Sequence, residues 1–367
     1  MLIAIRREPR PERRVAVTPR GVKALTDAGH DVAVPSGAGD GAAIPDDAFT
    51  AAGARIAEPG DPDLLLGVGP LTADDTSGAS AVLGFLDPLG SPHQIERLAA
   101  AGTTALALEM VPRTTQAQAM DALSSQATAL GYAGALLAAT ELPRFFPMMM
   151  TAAGTIAPAR VLVLGAGVAG LQAIATARRL GAVVAAYDIR PAAREQVESL
   201  GADFVGGPVA DEAQMEGGYA REVSEETRRQ QQQALAEAVA AADAVITTAA
   251  VPGRRAPVLV SLGMVDTMKP GALVIDLAAA TGGNCEVTSP GTTVERNGVR
   301  VMGPLHLVST VAGHASDMLG RNITALVTHL WESGELDTST EIGAAVCVAR
   351  GGEITSDAVR SALEAGG

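Results

Sequence analysis

The strongest constraint on the fold is the stretch Pro158–Arg190, with the sequence PARVLVLGAGVAGLQAIATARRLGAVVAAYDIR. Val161–Leu164 is an apolar run without polar alternation, as expected of a parallel strand that is buried on both faces. Three glycines follow it in the spacing G-x-G-x-x-G: Gly165, Gly167 and Gly170. Leu171–Leu180 then has helical spacing, and a second apolar run ends at Asp188. The stretch therefore predicts a complete βαβ unit.

Each glycine of this motif has a physical role in binding a pyrophosphate. The first permits the tight turn, the second lets backbone N–H groups approach the phosphates, and the third lets the helix pack closely on the strand. We therefore predict a dinucleotide site whose cofactor-binding turn comprises Gly165, Gly167, Val168, Ala169 and Gly170.

The residues that end the second strand indicate which dinucleotide binds. Asp188 follows Gly170 by 18 residues, close to the roughly 20 expected for a carboxylate that accepts hydrogen bonds from an adenosine ribose. Its charge would repel a 2′-phosphate, which favours NAD over NADP. Arg190, two residues further on, can accommodate a 2′-phosphate and leaves NADP open. Both residues are predicted to contact the cofactor.

Size and composition exclude several classes of protein. A chain of 367 residues can form two domains with separate cores, and with only 2% aromatic residues these cores must consist of Ala, Val, Leu and Ile. The net charge of −14 argues against nucleic acid and against unaided adsorption to anionic membranes. Cys285 and Cys347 are far apart and form no CxxC pair, so no metal site is expected. No apolar run reaches the roughly 18 residues that span a bilayer, so we expect a cytoplasmic chain without direct membrane insertion.

The remainder of the chain indicates a second α/β unit. Residues 2–110 alternate between short apolar runs and helical spacing but lack a glycine motif. A helix over about 309–331 is expected to return the chain to this unit. We therefore predict an α/β fold with two Rossmann-like doubly wound parallel-sheet domains separated by a cleft. The expected domains are residues 1–124 plus 315–367 and residues 125–314.

A polar group lies at the start of the segment that connects these domains. From about Ala117 the spacing is helical for some two dozen residues, and Gln118, Asp121 and Ser124 are separated by three, so they are expected on one helix face. Arg113 precedes them in a loop. These residues are either an exposed polar face with an acid that complements the helix dipole, or a cluster at the cleft that fixes a nicotinamide and its ribose.

Two later segments also suggest ligand contacts. Gly206–Val223 is polar, rich in glycine and includes Tyr219; a loop of this length is typical of disorder or of a lid over a site. Ala249–Gly253 follows a predicted strand at its carboxyl end, where doubly wound sheets bind ligands. This position makes Ala250 a candidate cofactor-binding residue.

Five segments carry a family resemblance: FPMMMTAAGTIAPARVLVLGAGVAGLQAIATARRLGAVV, PRTTQAQAMDALSSQ, GGYAREV, TTAAVPGRRAP and IDLAAATGGNC. Together they resemble the soluble NAD(H)-binding domain, or alpha subunit, of proton-translocating NAD(P) transhydrogenase, which is related to the alanine dehydrogenases. The resemblance extends along the whole chain and is most specific from Glu109 to Cys285. Two positions depart from the family pattern, since Val223 replaces a methionine and Thr310 replaces an arginine.

The resemblance implies roles for particular residues. In the family an Arg-Gln-Asp-Ser set holds the nicotinamide, and it matches Arg113, Gln118, Asp121 and Ser124 here. The resemblance also implies that Tyr219 lies on a mobile loop that closes over the nucleotide. Gln231 is implied to approach the active site from the helix that follows this loop.

The activity implied by the resemblance is that of a Si-specific/Re-specific, proton-translocating NAD(P) transhydrogenase. Hydride would pass directly between NAD(H) on this chain and NADP(H) on a partner domain, a step that needs no general acid or base. Proton translocation would belong to a membrane-spanning partner subunit. The resemblance further implies a homodimer, located peripherally on the inner face of the cell membrane through its partner.

The main alternative is an NAD-dependent amino-acid dehydrogenase of the alanine dehydrogenase type. Such enzymes carry a lysine in the strand region matching Leu64–Pro70, a histidine after the next strand and an aspartate in the loop after the strand that ends at Asp276. Here the first region has no lysine, and the other two positions hold Asp87 and Ala280. A catalytically silent NAD sensor is a third possibility, distinguished by whether a second nucleotide is reduced.

Overall fold

The computed structural model describes residues 1–76, 78–206, 225–251 and 253–365. The β-strands within these residues are β1 (Leu2–Ile5), β2 (Asp31–Val34), β3 (Arg55–Ile56), β4 (Leu64–Leu66), β5 (Ala81–Gly84), β6 (Thr104–Ala107), β7 (Met149–Thr151), β8 (Gly154–Ile156), β9 (Arg160–Leu164), β10 (Val183–Tyr187), β11 (Asp203–Phe204), β12 (Ala244–Thr247), β13 (Leu273–Asp276), β14 (Thr293–Arg296), β15 (Val299–Met302), β16 (Cys347–Arg350) and β17 (Glu353–Ile354). The α-helices are α1 (Pro19–Asp27), α2 (Asp46–Ala51), α3 (Pro92–Ala100), α4 (Ala122–Glu141), α5 (Val168–Arg179), α6 (Ala193–Ser199), α7 (Glu225–Ala241), α8 (Leu262–Thr267), α9 (Ala312–Leu330), α10 (Glu341–Val346) and α11 (Asp357–Ala365).

The chain forms two compact units. The first consists of Met1–Ala129, Pro252–Arg254 and Val308–Gly367, and the second of Leu130–Val251 and Arg255–Leu307. The chain passes from the first unit to the second within α4.

The first unit is built on a sheet of strand order β3-β2-β1-β4-β5-β6-β16-β17. Its strands β1 to β6 pair in parallel, whereas β16 is antiparallel to both β6 and β17. Because alternate residues of a strand face opposite sides, each strand contributes to two cores. Ile3 and Ile5 pack into one core, and Ala4 packs into the other. A sheet covered on both faces explains why these strands are apolar throughout.

The second unit contains a sheet of strand order β11-β10-β9-β12-β13-β15-β14. Its strands are parallel except for β14, which pairs antiparallel with β15. The order reverses at β9, since the chain proceeds outward through β10 on one side and through β12 on the other. Ligands of doubly wound sheets bind at the carboxyl ends of the strands beside such a switch point.

The predicted fold class is confirmed, because each unit is a doubly wound α/β sheet. The antiparallel pairing of β14, β16 and β17 departs from the prediction of parallel sheets. Of these strands, β14 and β17 lie at sheet edges. The β7–β8 hairpin forms a separate two-stranded sheet with exposed residues throughout. Within the described part of the chain, no helix has both the length and the apolar character needed to cross a lipid bilayer.

Candidate functional site

The glycine turn between β9 and α5 lies at the switch point of the second sheet. Gly165 has a φ of 95°, in the left-handed region that side chains disfavour. A Cβ atom on Gly170 would lie 1.8 Å from the carbonyl oxygen of Gly165. These two glycines are therefore required by the backbone itself, as the motif predicts: one for the turn, and one for the close approach of helix and strand.

The middle glycine faces open space instead. Gly167 precedes α5, is exposed, and its added Cβ would meet no atom of the described residues within 4 Å. The first N–H groups of a helix have no partner within the helix, and here they belong to Val168, Ala169 and Gly170. Among the described residues, no side chain caps this end of α5. Free N–H groups, the positive end of the helix dipole and open space together fit a phosphate.

Asp188 follows β10 and is tied to the glycine turn. Its Oδ2 accepts a hydrogen bond from the Ala166 N–H at 2.7 Å, and its Oδ1 accepts one from the Arg190 N–H at 2.8 Å. The Arg190 guanidinium adds a bidentate pair, with both N···O distances 2.9 Å. Burial raises the pKa of the carboxyl, but the hydrogen bonds from Arg190 and Ala166 outweigh it and hold the pKa below its usual value.

This arrangement places Asp188 where an adenosine ribose is expected, but with its oxygens already occupied. Each carboxylate oxygen accepts two hydrogen bonds, which fills its lone-pair positions. The Asp188 side chain is 7% exposed and that of Arg190 is 59% exposed. Arg190 is therefore the contact that a ribose hydroxyl can displace.

The remaining candidates in the second unit have different surroundings. Ala250 is exposed and lies three residues beyond β12; its neighbour Ala249 adjoins the glycine turn. Gln231 is half-buried in α7. Tyr219 and Val223 lie outside the described residues.

In the first unit, Asp121 and Ser124 meet at the start of α4. Asp121 accepts hydrogen bonds from the Ser124 N–H at 2.9 Å and from the Ser124 hydroxyl at 2.6 Å, a typical helix N-cap. The predicted helix start at Ala117 is wrong, because α4 begins at Ala122. Asp121 has a ψ of 85° and interrupts the helix.

Gln118 consequently does not share a helix face with Asp121 and Ser124. It belongs to a separate 3₁₀ turn, Gln118–Met120. The side chains of Gln118 and Arg113 are exposed, and neither hydrogen bonds nor pairs with any other residue in the described part of the chain. Of the four residues, two are engaged with each other and two are available to a ligand.

The sequence did not assign a role to two buried polar residues near the glycine turn. Asp276 ends β13 and Asn284 follows eight residues later, and both are fully buried. The only signal in the sequence is their position in IDLAAATGGNC, at the carboxyl end of an apolar run.

Metal and thiol chemistry find no support in the described residues. These residues contain no group of three or more His, Cys, Asp or Glu side chains that could hold a metal ion. Cys285 and Cys347 are buried free thiols, and burial raises the pKa of each. Both thiols therefore remain protonated at neutral pH.

The fold and the glycine turn define a Rossmann-type dinucleotide-binding protein. The chain belongs to the alanine dehydrogenase/PNT family: residues 4–130 match the model described as "Alanine dehydrogenase/PNT, N-terminal domain", and residues 134–357 match that of the C-terminal domain. The family resemblance seen in the sequence is thereby confirmed.

Individual relatives agree with this assignment. A Rhodospirillum rubrum protein, named as the first part of an NAD(P) transhydrogenase subunit alpha, is 45% identical over 98% of this chain and 99% of the relative. The crystal structure of a transhydrogenase from Sinorhizobium meliloti superposes with a TM-score of 0.89 at 43% identity, covering 96% of this chain and 100% of that one. An alanine dehydrogenase of Mycolicibacterium smegmatis is 35% identical, over 77% of this chain and 73% of the relative.

Proposed function

We propose that this chain is the NAD(H)-binding subunit of a proton-translocating NAD(P) transhydrogenase. The observation that carries the proposal is the glycine turn, open in front of Gly167 and flanked by Asp188, in a chain that a transhydrogenase alpha subunit matches almost end to end. The turn supports dinucleotide binding, and the relative supports the reaction in which the dinucleotide is used.

Different residues would contact different parts of the dinucleotide. The N–H groups of Val168, Ala169 and Gly170 would hold the pyrophosphate. Asp188 would accept hydrogen bonds from the hydroxyl groups of the adenosine ribose. Its negative charge would repel the 2′-phosphate of NADP(H) and so favour NAD(H). When bound, the nicotinamide supplies the hydride chemistry.

Four residues of the first unit would orient the nicotinamide and its ribose. Arg113 and Gln118 have polar side chains free of contacts within the described residues, while Asp121 and Ser124 are fixed by their mutual hydrogen bonds. The resemblance assigns this same set to the nicotinamide, and it also assigns Tyr219 and Gln231 to the nucleotide. Transfer of a hydride between two nicotinamides moves no proton in the chemical step, so the protein's task is to position the ring and exclude water.

Partners follow from the same proposal. NADP(H) would be held by a partner domain, and proton translocation would be the task of a membrane-spanning subunit on which this chain docks peripherally, at the inner face of the cell membrane.

The exposed β7–β8 hairpin supports a homodimer. Isolated two-stranded hairpins are marginally stable in water. This hairpin and the residues just before it expose large apolar side chains: Phe145, Met148, Met149, Met150 and Ile156. A second copy of the chain would cover them.

The family also contains alanine dehydrogenases, so the two activities must be separated. The resemblance places a lysine, a histidine and an aspartate of the dehydrogenases at three positions. Here Leu64–Pro70 contains no lysine, Asp87 stands in place of the histidine, and Ala280 stands in place of the aspartate. An amino-acid dehydrogenase needs an acid/base group beside the nicotinamide, and these substitutions favour the transhydrogenase.

The test is a pair of assays on the purified chain. In the binding assay, we expect the chain to bind NADH in preference to NADPH. In the transfer assay, we expect hydride transfer to an NAD analogue only when an NADP-binding partner domain is added. Oxidation of NADH by the chain alone with pyruvate and ammonia would instead establish the dehydrogenase. Binding of NADH without either reaction would indicate a sensor.

A further inference from the structure

A buried carboxylate organises the turn that follows β13. Asp276 is fully buried and lies at the carboxyl end of that strand. Its two oxygens accept five hydrogen bonds, from the Thr247 hydroxyl (2.8 Å), Ala278 N–H (3.1 Å), Asn284 N–H (2.7 Å), Cys285 N–H (3.0 Å) and Thr288 hydroxyl (2.6 Å). The path of residues 278–288 is thus set by one side chain.

The close return of this turn requires glycine. Gly283 has a φ of 80°, and a Cβ atom there would lie 2.7 Å from Oδ2 of Asp276. Gly283 therefore allows the chain to pass directly over the carboxylate. The next residue, Asn284, is carried into the interior as a result.

The Asn284 side chain in turn holds the loop that follows β12. Its Oδ1 accepts a hydrogen bond from the Ala249 N–H at 3.0 Å, and its Nδ2 donates to the Ala249 carbonyl oxygen at 2.7 Å. Nδ2 also donates to the Pro257 carbonyl oxygen at 2.8 Å. Both backbone groups of Ala249 are thereby fixed by a single fully buried amide.

The residue that Asn284 fixes adjoins the glycine turn. A Cβ atom on Gly165 would lie 3.1 Å from the Ala249 nitrogen. The hydroxyl of Thr248 donates to the Gly165 carbonyl oxygen at 2.9 Å. Ala250 comes next and is exposed. The side chain of Asn284 therefore determines how the backbone at Ala249–Ala250 is presented at the carboxyl edge of the sheet.

The strand order shows which part of a dinucleotide this backbone faces. Asp188 follows β10 and Ala249 follows β12, and β9 with its glycine turn lies between these strands. A dinucleotide with its adenosine ribose at Asp188 and its pyrophosphate at the glycine turn extends toward β12 with its second nucleoside.

We propose that Asn284 is a positioning residue that fixes the Ala249–Ala250 backbone against the nicotinamide nucleoside of the bound cofactor. The proposal rests on the proposed function, because it requires a dinucleotide at the glycine turn. Asn284 acts through the backbone of Ala249 and does not itself contact the ligand.

The test compares ligands that reach different parts of the site. For Asn284→Ala we expect the Kd for NADH to rise about tenfold, as on loss of a well-made polar contact, while the Kd for AMP changes by less than about twofold. Asn284→Asp keeps the acceptor for the Ala249 N–H but loses both donated hydrogen bonds, and provides a variant of equal size. Amide hydrogen exchange at Ala249 should become faster in Asn284→Ala.

Thr288→Val is the matched control. It removes one hydrogen bond to Asp276 from the same network but leaves the contacts between Asn284 and Ala249 intact. We expect it to lower Tm without weakening NADH binding. The proposal is overturned if Thr288→Val weakens NADH binding as much as the Asn284 variants do, or if those variants weaken AMP and NADH equally. Failure of the wild-type chain to bind either ligand would refute the proposed function itself.

Discussion

Arg190 occupies the carboxylate that the cofactor would use. Its guanidinium makes a bidentate pair with Asp188, and both Asp188 oxygens are saturated while this pair persists. Binding of a ribose hydroxyl therefore exchanges one hydrogen bond for another. The guanidinium also compensates the charge that disfavours a 2′-phosphate, so we expect Arg190 to moderate the preference for NAD(H) that the proposal assigns to Asp188.

Replacement of Arg190 should sharpen the preference for NADH. With Arg190→Ala, Asp188 keeps its charge and loses its cation, so we expect the ratio of the NADPH Kd to the NADH Kd to rise about tenfold, corresponding to roughly 1.4 kcal/mol. Asp188→Asn should lower the same ratio. Calorimetric titration with both nucleotides measures it, and an unchanged ratio in Arg190→Ala would contradict this role.

The pKa values of two partly buried carboxyl groups near the N-terminus, Glu8 and Glu12, are shifted in opposite directions. Glu8 accepts a hydrogen bond from the Val68 N–H at 2.7 Å, but within the described residues its Oε2 has no hydrogen-bond partner, and the Arg6 guanidinium is 3.5 Å away. Burial raises the pKa of Glu8 to about 7. Burial also acts on Glu12, but its hydrogen bonds and charge pairing with Arg14 prevail and lower the pKa to about 2.

These pKa values predict how stability depends on pH. The folded state holds the Glu8 proton more tightly than the unfolded state does, so the free energy of unfolding should fall by up to about 3 kcal/mol as the pH rises from about 4.5 to about 7. Glu8→Gln should remove this loss and stabilise the protein at pH 8. Urea unfolding across this pH range is the measurement.

Glu12→Gln provides the opposite case. The charged form of Glu12 stabilises the fold above about pH 4.5, and this contribution is lost as the pH falls toward about 2. At pH 7 the variant should be less stable by about 2 kcal/mol, because Arg14 loses its charged partner in a partly buried setting. Equal effects of the two substitutions at neutral pH would show that the surroundings of Glu8 and Glu12 do not differ as described.

At the scale of the element, two glycines of the β9–α5 turn have different roles: Gly170 is required for packing, and Gly167 faces the expected phosphate. Gly170→Ala would place a methyl group 1.8 Å from a backbone oxygen, and we expect a loss of about 2 kcal/mol or more in unfolding free energy. Gly167→Ala meets no described atom within 4 Å and has a φ of −76°, so its stability should change by less than about 0.5 kcal/mol. Its methyl group would nevertheless enter the phosphate position, and the NADH Kd should rise. An unchanged affinity in Gly167→Ala would place the phosphate elsewhere.

The same turn shows what local sequence can predict. Its glycines, strand and helix are specified within some thirty consecutive residues, so spacing alone was sufficient. Helical spacing predicts too early a start for α4, because the spacing continues through Gln118, whereas the Asp121 side chain caps the helix three residues later. The pair of Asp276 and Asn284 could not be found from spacing, because Asn284 acts on Ala249, 35 residues earlier in the chain.

At the scale of the whole molecule, the exposed hairpin predicts self-association. Met150 is 76% exposed within the hairpin's apolar surface, and Met150→Glu should convert a dimer to a monomer with little change in Tm. Leu305→Glu, at an exposed apolar side chain outside the hairpin, is the control and should remain dimeric. Light scattering after size-exclusion chromatography measures the mass. A monomeric wild type, or a dimeric Met150→Glu, would remove the hairpin from the interface.

Direct passage of hydride from the nucleotide on this chain to one on a partner is the central element of the proposed function. The most direct measurement uses NADH that carries deuterium at both positions of the reduced nicotinamide carbon, with NADP⁺ and an NADP-binding partner domain, followed by mass spectrometry of the NADPH formed. We predict that one deuterium is transferred to each NADPH and that label appears only when the partner is present. Unlabelled NADPH, or labelled NADPH formed without the partner, would contradict direct transfer between the two chains.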